Sequence, residues 1–375
     1  MIVAGEASGD EHGARLVAAL HARRADVAIF GMGAGNMRAA GVELLVDSAP
    51  LAVVGLVEII EHYPALRAAL NTLKRALRER RPALLILIDY PDFNLRLAKA
   101  AKQAGVKVLY YISPQIWAWR QGRVHKMREL VDMMAVVFPF EVPFYERAGV
   151  PVRYVGHPLL DEAATLGKAD SFARFDLDPS KKTVGLFPGS RRNEIRRLLP
   201  ALLEGAKLLR ARCADLQLLL PMARDLERGD IATRVEASGL DVKLIDGDYE
   251  ICNVIQTCDA IVVTSGTATL QVALMGVPHV IVCRIATLSY TMARPFVKVK
   301  YVGLPNIVAD ELVVPELVQQ DVQPKGIAGE VTRLLTDKGY AGSTREKLAG
   351  VKKLLGEPGC AQRVAGLALG LVNNE

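Results

Sequence analysis

The sequence predicts an α/β protein built from two Rossmann-like, doubly wound parallel-sheet domains facing a central cleft. Three observations carry this. Short apolar, β-branched runs alternate with longer amphipathic ones. The alternation restarts after a polar stretch near mid-chain. Glycine- or hydroxyl-rich turns follow several of the apolar runs.

In the first series the expected strands are Ile2–Ala4, Val27–Phe30, Leu84–Asp89, Val106–Ile112, Met133–Val137 and Val152–Val155. Amphipathic helices such as Glu11–Arg23, Leu66–Arg80 and Leu95–Ala104 lie between them. Buried strands separated by helices build a parallel sheet covered on both faces. Asp161–Pro179 is then polar and loop-rich. The second series has strands Thr183–Phe187, Leu216–Leu220, Val242–Ile245, Ala260–Val263 and His279–Cys283. A hinge is expected near Gly156-His157-Pro158. The expected domains are therefore 1–160 and 161–358, with a last helix near 359–372 packing back on the first. Ligands of such sheets bind beyond the carboxyl ends of the strands, so the turns there are where chemistry is sought.

The composition, 51% hydrophobic and 23% charged over 375 residues, suits folded domains with ample core. No apolar run reaches the ~20 residues that cross a bilayer. The opening Met1-Ile2-Val3-Ala4-Gly5 lacks the basic and apolar regions of a signal peptide. It leaves a first strand that is either short or preceded by upstream residues. Five cysteines without a CxxC pair point to reduced thiols rather than disulfides or zinc. Charge is distributed unevenly. Glu61–Val131 carries 14 Lys and Arg against 5 Asp and Glu, a net of +9 in a chain of +6. That excess fits an anionic partner or a solvated helix face; without interleaved aromatics it does not favour nucleic acid.

Gly5-Glu6-Ala7-Ser8-Gly9-Asp10 follows the first strand and opens a helix, either as an anion-facing turn or as a tight turn alone. Gly31-Met32-Gly33-Ala34-Gly35 departs from the dinucleotide fingerprint, because its third glycine comes one residue early and the turn follows the second strand. Asp89 stands at the exit of a wholly apolar strand, where a general base belongs, while Asp92 or Asn94 serves equally as a helix cap. Ser113-Pro-Gln-Ile-Trp117-Ala-Trp119-Arg120 holds both tryptophans, which either pack in the core or stack on a sugar or acyl chain. Pro188-Gly189-Ser190-Arg191 and Thr264-Ser265-Gly266-Thr267 both sit at strand ends. Backbone N–H groups, hydroxyls and a bidentate arginine there suit a nucleotide diphosphate, although Ser and Thr are also plain caps. Asp176-Leu-Asp178 and Asp246-Gly-Asp248 read as solvated turns more readily than as metal sites.

Gly5-Glu-Ala-Ser-Gly-Asp10, Ile88-Asp-Tyr-Pro-Asp-Phe-Asn94, Ser113–Arg120, Pro188–Arg191, Ser265-Gly-Thr-Ala268 and Tyr301-Val-Gly-Leu-Pro-Asn306, taken together, resemble the lipid-A-disaccharide synthases, glycosyltransferases of the GT-B fold. The segments run in that family's order over nearly the whole chain. The resemblance implies a transfer from UDP-2,3-diacylglucosamine to 2,3-diacylglucosamine 1-phosphate, with inversion, without metal and without a cofactor. It places the general base at Asp89, a diphosphate-binding arginine at Arg191 and a further active-site asparagine at Asn306. Gly189, Ser190, Ser265, Gly266, Thr267 and Gln271 fall on the donor side. Glu6, Ser8, Gly9, Trp117, Trp119 and Arg120 fall on the acceptor side or its loop. It also implies a cytoplasmic enzyme held peripherally on the inner face of the bacterial inner membrane, and it leaves a homodimer open. Gln271 departs from the family's usual Glu, whose carboxylate is expected to accept from the ribose hydroxyls. Gln271→Glu is accordingly expected to keep or improve donor affinity. The alternatives are another UDP-N-acetylglucosamine transferase or UDP-sugar epimerase of this fold, a nucleotide-binding regulatory protein without turnover, or, on the glycine run alone, a nicotinamide enzyme.

A membrane face is expected at Val53–Arg81. There the apolar Leu51–Val57 is followed by Leu66, Leu70, Leu73 and Leu77 at helical spacing, flanked by Arg67, Lys74, Arg75, Arg78, Arg80 and Arg81. The competing reading packs the leucines on the domain's own sheet.

Overall fold

A computed structural model describes residues 1–51, 56–119, 121–162, 165–213, 215–223, 226, 228–247, 250–286 and 299–373; for 56–62 and 119 it describes the backbone only. The chain divides into two compact units, Met1–Asp161 with Glu357–Glu375, and Glu162–Gly356.

The strands of the first unit are β1 (Ile2–Ala4), β2 (Phe30–Gly33), β3 (Glu43–Asp47), β4 (Leu84–Ile88), β5 (Lys107–Tyr111), β6 (Met133–Val136) and β7 (Val152–Tyr154). They form one parallel sheet in the order β3-β2-β1-β4-β5-β6-β7. Between them run α1 (Ala7–Arg23), α2 (Gly35–Ala39), α3 (Leu56–Arg80), α4 (Pro91–Gln103), α5 (Ile116–Trp119), α6 (Val124–Leu130) and α7 (Glu141–Arg147). β4 is Leu-Leu-Ile-Leu-Ile and wholly buried, as a central strand covered on both faces must be. The strand order reverses between β1 and β4. That is the point where a doubly wound sheet opens a crevice.

One expected strand is displaced, and two strands, Glu43–Asp47 and Glu316–Val318, were not expected. β2 begins at Phe30 rather than ending there, and it takes in Gly31 and Gly33. A Cβ at Gly31 would overlap the carbonyl oxygen of Ile2, so this glycine permits close strand approach rather than phosphate binding. The N-terminus of α2 is already filled. Asp10 accepts from the N–H groups of Ala34 (2.6 Å), Asn36 (2.8 Å) and Met37 (3.2 Å). A protein carboxylate therefore stands where a dinucleotide's pyrophosphate would go.

α3 settles the leucine stripe. Leu70, Leu73 and Leu77 are buried in the core with β-strand residues such as Val3, Leu85 and Leu87, and Leu66 packs against them. The stripe faces inward, and Arg67, Arg75, Arg78, Arg80 and Arg81 are exposed. Of the apolar opening, Leu51 is buried, 52–55 lie outside the described residues, and the side chains of Leu56 and Val57 are not described.

The second unit has β8 (Lys182–Phe187), β9 (Leu216–Pro221), β10 (Val242–Ile245), β11 (Ala260–Thr264), β12 (His279–Cys283) and β13 (Glu316–Val318). Their order is β10-β9-β8-β11-β12-β13, again all parallel. Its helices are α8 (Lys168–Arg174), α9 (Arg192–Arg210), α10 (Arg228–Ser238), α11 (Ile251–Ile255), α12 (Thr267–Leu274), α13 (Leu304–Ala309), α14 (Pro324–Thr336) and α15 (Lys338–Leu354). Order here reverses between β8 and β11. Their exits are the Pro188–Arg191 and Ser265–Thr267 turns.

The last helix, α16 (Cys360–Asn373), belongs to the first unit and packs on α1, β4 and β5. Asp161 caps it, accepting from the N–H of Gly359 (2.5 Å) and Cys360 (3.2 Å). Arg363 donates to the carbonyls of Val155, Pro358 and Glu357. The two chain segments that lead to and from the second unit are thereby tied to one another.

Candidate active site

Asp89 leaves β4 at the reversal point of the first sheet. It and Tyr90 adopt left-handed backbone angles, φ 44° and 47°, a conformation that costs a non-glycine residue roughly 1–2 kcal/mol. The surroundings hold it there. The Asp89 carbonyl accepts from the Asn94 amide (2.7 Å) and the Tyr110 hydroxyl (2.5 Å), and the Asp89 N–H donates to the Tyr111 carbonyl (3.1 Å). Asn94 is wholly buried and also donates to the Ile88 carbonyl (3.2 Å). It braces the turn through its side chain. Desolvation, and then the negative charge of Glu6, raise the Asp89 carboxyl to about 6. Such a group is ionised near neutrality yet basic enough to take a proton. Asp92 is exposed and pairs with Arg123 (3.0 Å).

The neighbouring turn is the N-terminus of α1. Glu6 takes the N-cap position, and Glu6 and Ser8 are exposed while Gly9 is buried. The first N–H groups of such a helix have no intrahelical acceptor.

Trp117 does not present its face to a ligand. It is buried, its indole N–H donates to Glu141 (3.1 Å), and its ring meets Phe140 edge-on. Core packing accounts for it. Glu141 is the residue that sequence reading missed. It also accepts from the Ser113 hydroxyl and the Phe138 N–H (3.0 Å), and burial raises it to about 7 against the pull of these donors. Its only sequence signal is an acid placed just after an apolar strand and Phe138-Pro-Phe140. The Trp119 side chain and Arg120 lie outside the described residues.

In the second unit a cleft of about 400 Å³ lies at the ends of β8 and β11. Gly189, Ser190, Arg191, Ser265, Gly266, Thr267 and Gln271 all line it, with Phe187, Pro221 and Ile251 as apolar wall. Gly189 has φ 111°, and a Cβ there would overlap the Glu194 carboxylate. Glu194 accepts from the Arg191 N–H (3.3 Å) and lies 3.8 Å from its guanidinium. The largely exposed arginine keeps donors for a ligand. Gly266 opens α12, so the N–H groups of Thr267 and Ala268 begin a helix there. The Ser265 hydroxyl donates to the Val302 carbonyl (2.7 Å) and ties in the Tyr301–Asn306 segment.

Asn306 is not part of this lining. It is wholly buried, donating to the Val314 carbonyl (2.8 Å) and Glu316 (2.8 Å) and accepting from the N–H groups of Val313 (2.8 Å) and Val314 (3.0 Å). Every polar atom of its amide is engaged. Its place is that of a clamp beneath the site rather than a ligand contact. Gln271, by contrast, lines the cleft and donates to Glu162 (3.0 Å).

Three of the four Asp-x-Asp carboxylates have protein partners. Asp176 pairs with Lys243, Asp178 accepts from Ser180, and Asp246 pairs with Arg228, while Asp248 lies outside the described residues.

Two parallel doubly wound units with open turns at both reversal points define a protein of the GT-B fold. The fold is shared with the solved S. aureus MnaA–UDP co-structure, at TM-score 0.71 and 14% identity, covering 100% of this chain and 96% of that one. It is shared also with Acinetobacter baumannii MurG, at TM-score 0.62 and 14% identity, covering 98% of each. Sequence narrows the class. Residues 1–363 match the family described as Lipid-A-disaccharide synthetase. The lipid-A-disaccharide synthase of Geobacter sulfurreducens is 53% identical over 376 residues, covering 100% of this chain and 97% of that one. The chain belongs to the lipid-A-disaccharide synthase family.

Proposed function

We propose that this glycosyltransferase of lipid A biosynthesis transfers 2,3-diacylglucosamine from its UDP donor to 2,3-diacylglucosamine 1-phosphate, with Asp89 as general base. The observation that carries the reading is Asp89 itself: its half-buried carboxyl, raised to about 6, stands at the sheet's reversal point on a backbone turn that Asn94 and Tyr110 hold through the Asp89 carbonyl.

In the displacement, the acceptor's primary hydroxyl oxygen forms a bond to the donor's anomeric carbon as the bond from that carbon to the diphosphate oxygen breaks. Configuration inverts, Asp89 takes the hydroxyl proton, and UDP leaves with the bonding pair. Sugar hydroxyls are weak nucleophiles, and a placed base contributes roughly 10²–10⁴-fold. Charge gathering on the diphosphate is met by Arg191 and the first N–H groups of α12. Glu6, Ser8 and Gly9 line the acceptor side.

Both substrates carry acyl chains, so the enzyme works at a membrane surface. No helix among the described residues is long and apolar enough to cross a membrane. With the leucines of α3 turned inward, the docking face is the basic fringe Arg67, Arg75, Arg78 and Arg81. Asp89→Asn tests the assignment: turnover falls at least about a hundredfold while UDP still binds. A variant that retains more than about a tenth of the rate removes Asp89 as the base.

A further inference from the structure

An amide side chain has two unlike ends, and at Gln271 the protein decides which one faces the cleft. A carboxylate can only accept hydrogen bonds. The Glu162 carboxylate lies 3.0 Å from the Gln271 amide nitrogen, so the NH₂ end is held towards Glu162 and the carbonyl end is left as the acceptor. Gln271 lines the diphosphate cleft alongside Gly266 and Thr267, whereas Glu162 is outside the lining. Both residues are half-buried, where a charge-assisted hydrogen bond is stronger and polarises its neighbour. The negative charge behind the amide therefore makes its carbonyl a better acceptor than that of a free glutamine.

We propose that Glu162 is a positioning residue for the donor: it orients and polarises Gln271, so that the Gln271 carbonyl accepts from the ribose hydroxyls of the UDP moiety. This rests on the reading of the cleft as the UDP-donor site. The pair Glu162–Gln271 then performs jointly what a single carboxylate at position 271 would do alone. The charge has moved one residue back, and the amide relays it. The expectation that Gln271→Glu keeps or improves donor affinity is reversed. In this chain that substitution sets two carboxylates about 3 Å apart, a juxtaposition that forces one to hold a proton or turn away.

The test is calorimetric titration of the full chain and three variants with UDP and with 2′,3′-dideoxyuridine diphosphate. Glu162→Gln lets the amide turn over, and UDP affinity falls about threefold to tenfold, the scale of one neutral hydrogen bond, here that of a ribose hydroxyl to the Gln271 carbonyl. Gln271→Glu weakens UDP about tenfold or more. The double variant Glu162→Gln with Gln271→Glu restores a single carboxylate with an amide partner, and its UDP affinity returns to within about threefold of the parent. The dideoxy compound registers only the general effect of the altered charge, so the ratio of UDP to dideoxy affinity falls in each single variant and stays parent-like in the double variant. Equal losses for both ligands, or no loss with Glu162→Gln, or no recovery in the double variant, overturn the assignment. If either single variant does not fold, the double variant decides through its ratio of UDP to dideoxy affinity. A parent-like ratio supports the proposal and a collapsed ratio overturns it. A parent chain that binds no UDP at all instead refutes the reading of the cleft.

Discussion

Replacing Glu6 by Gln probes the base proposed at Asp89 without altering Asp89 itself. Two causes raise Asp89 to about 6 from its ordinary 3.8: desolvation first, then the charge of Glu6. The base works only when ionised, so kcat/KM rises with pH through about 6. The parent enzyme then has about half its plateau activity at pH 6 and about a tenth at pH 5. Glu6→Gln removes the like charge and leaves desolvation in place. The midpoint moves down towards, but not to, the ordinary carboxylate value, and relative activity at pH 5 increases. The acceptor's phosphate also titrates in this range, but it does so identically for both enzymes. The difference between the two profiles therefore reports on Asp89. The assay is kcat/KM from UDP release between pH 4.5 and 8, normalised to each plateau. Coincident normalised profiles, or a midpoint that rises in the variant, would refute the reasoning that Glu6 acts on Asp89.

Arg191→Ala should weaken UDP about 10- to 100-fold, the loss of a charged bidentate contact, and turnover by the parent should persist in excess chelator; arrest by chelator with rescue by magnesium would bring Asp176, Asp178 and Asp246 back into question. Asn306→Ala orphans the N–H groups of Val313 and Val314 and should cost about 2–4 kcal/mol in denaturant unfolding; unchanged stability with lost UDP affinity would make Asn306 a ligand contact after all. Arg75→Glu with Arg78→Glu should cut pelleting with anionic liposomes by about tenfold or more at low salt while leaving the melting temperature in place, since both side chains are exposed; unchanged pelleting would move the membrane face elsewhere.

Features set by local chemistry were legible in the sequence. Gly189 and Gly266 each release a chain from a strand into a helix, and the turns they open line one cleft. The placement of Asp89 was legible for a related reason, because it ends a run of five apolar residues at the exit of β4. What the sequence hid depends on distant partners. The run Gly31–Gly35 departs from the dinucleotide fingerprint on sequence alone, but what Gly31 does instead shows only when Ile2 is seen against it. Asn306 looks like a ligand contact until Val313, Val314 and Glu316 saturate it. The Gln271–Glu162 bond spans 109 positions, and no spacing rule reaches that far. The leucines of α3 carry the same helical period whether they meet lipid or their own sheet, so only the observed burial of Leu73 and Leu77 separates the two readings. Glu141 has no motif at all. It is recognisable only through Ser113, Trp117 and Phe138 converging on it.

The most direct test of the account is thin-layer analysis of a reaction holding both acylated substrates, run with the parent enzyme and with Asp89→Asn. The parent should form a β-linked disaccharide 1-phosphate and release one UDP per disaccharide only when both lipids are present. Asp89→Asn should form about a hundredth as much or less while binding UDP normally. UDP release without the acceptor, disaccharide formation by Asp89→Asn at a rate near the parent's, or transfer from UDP-N-acetylglucosamine in preference to the acylated donor would each contradict it.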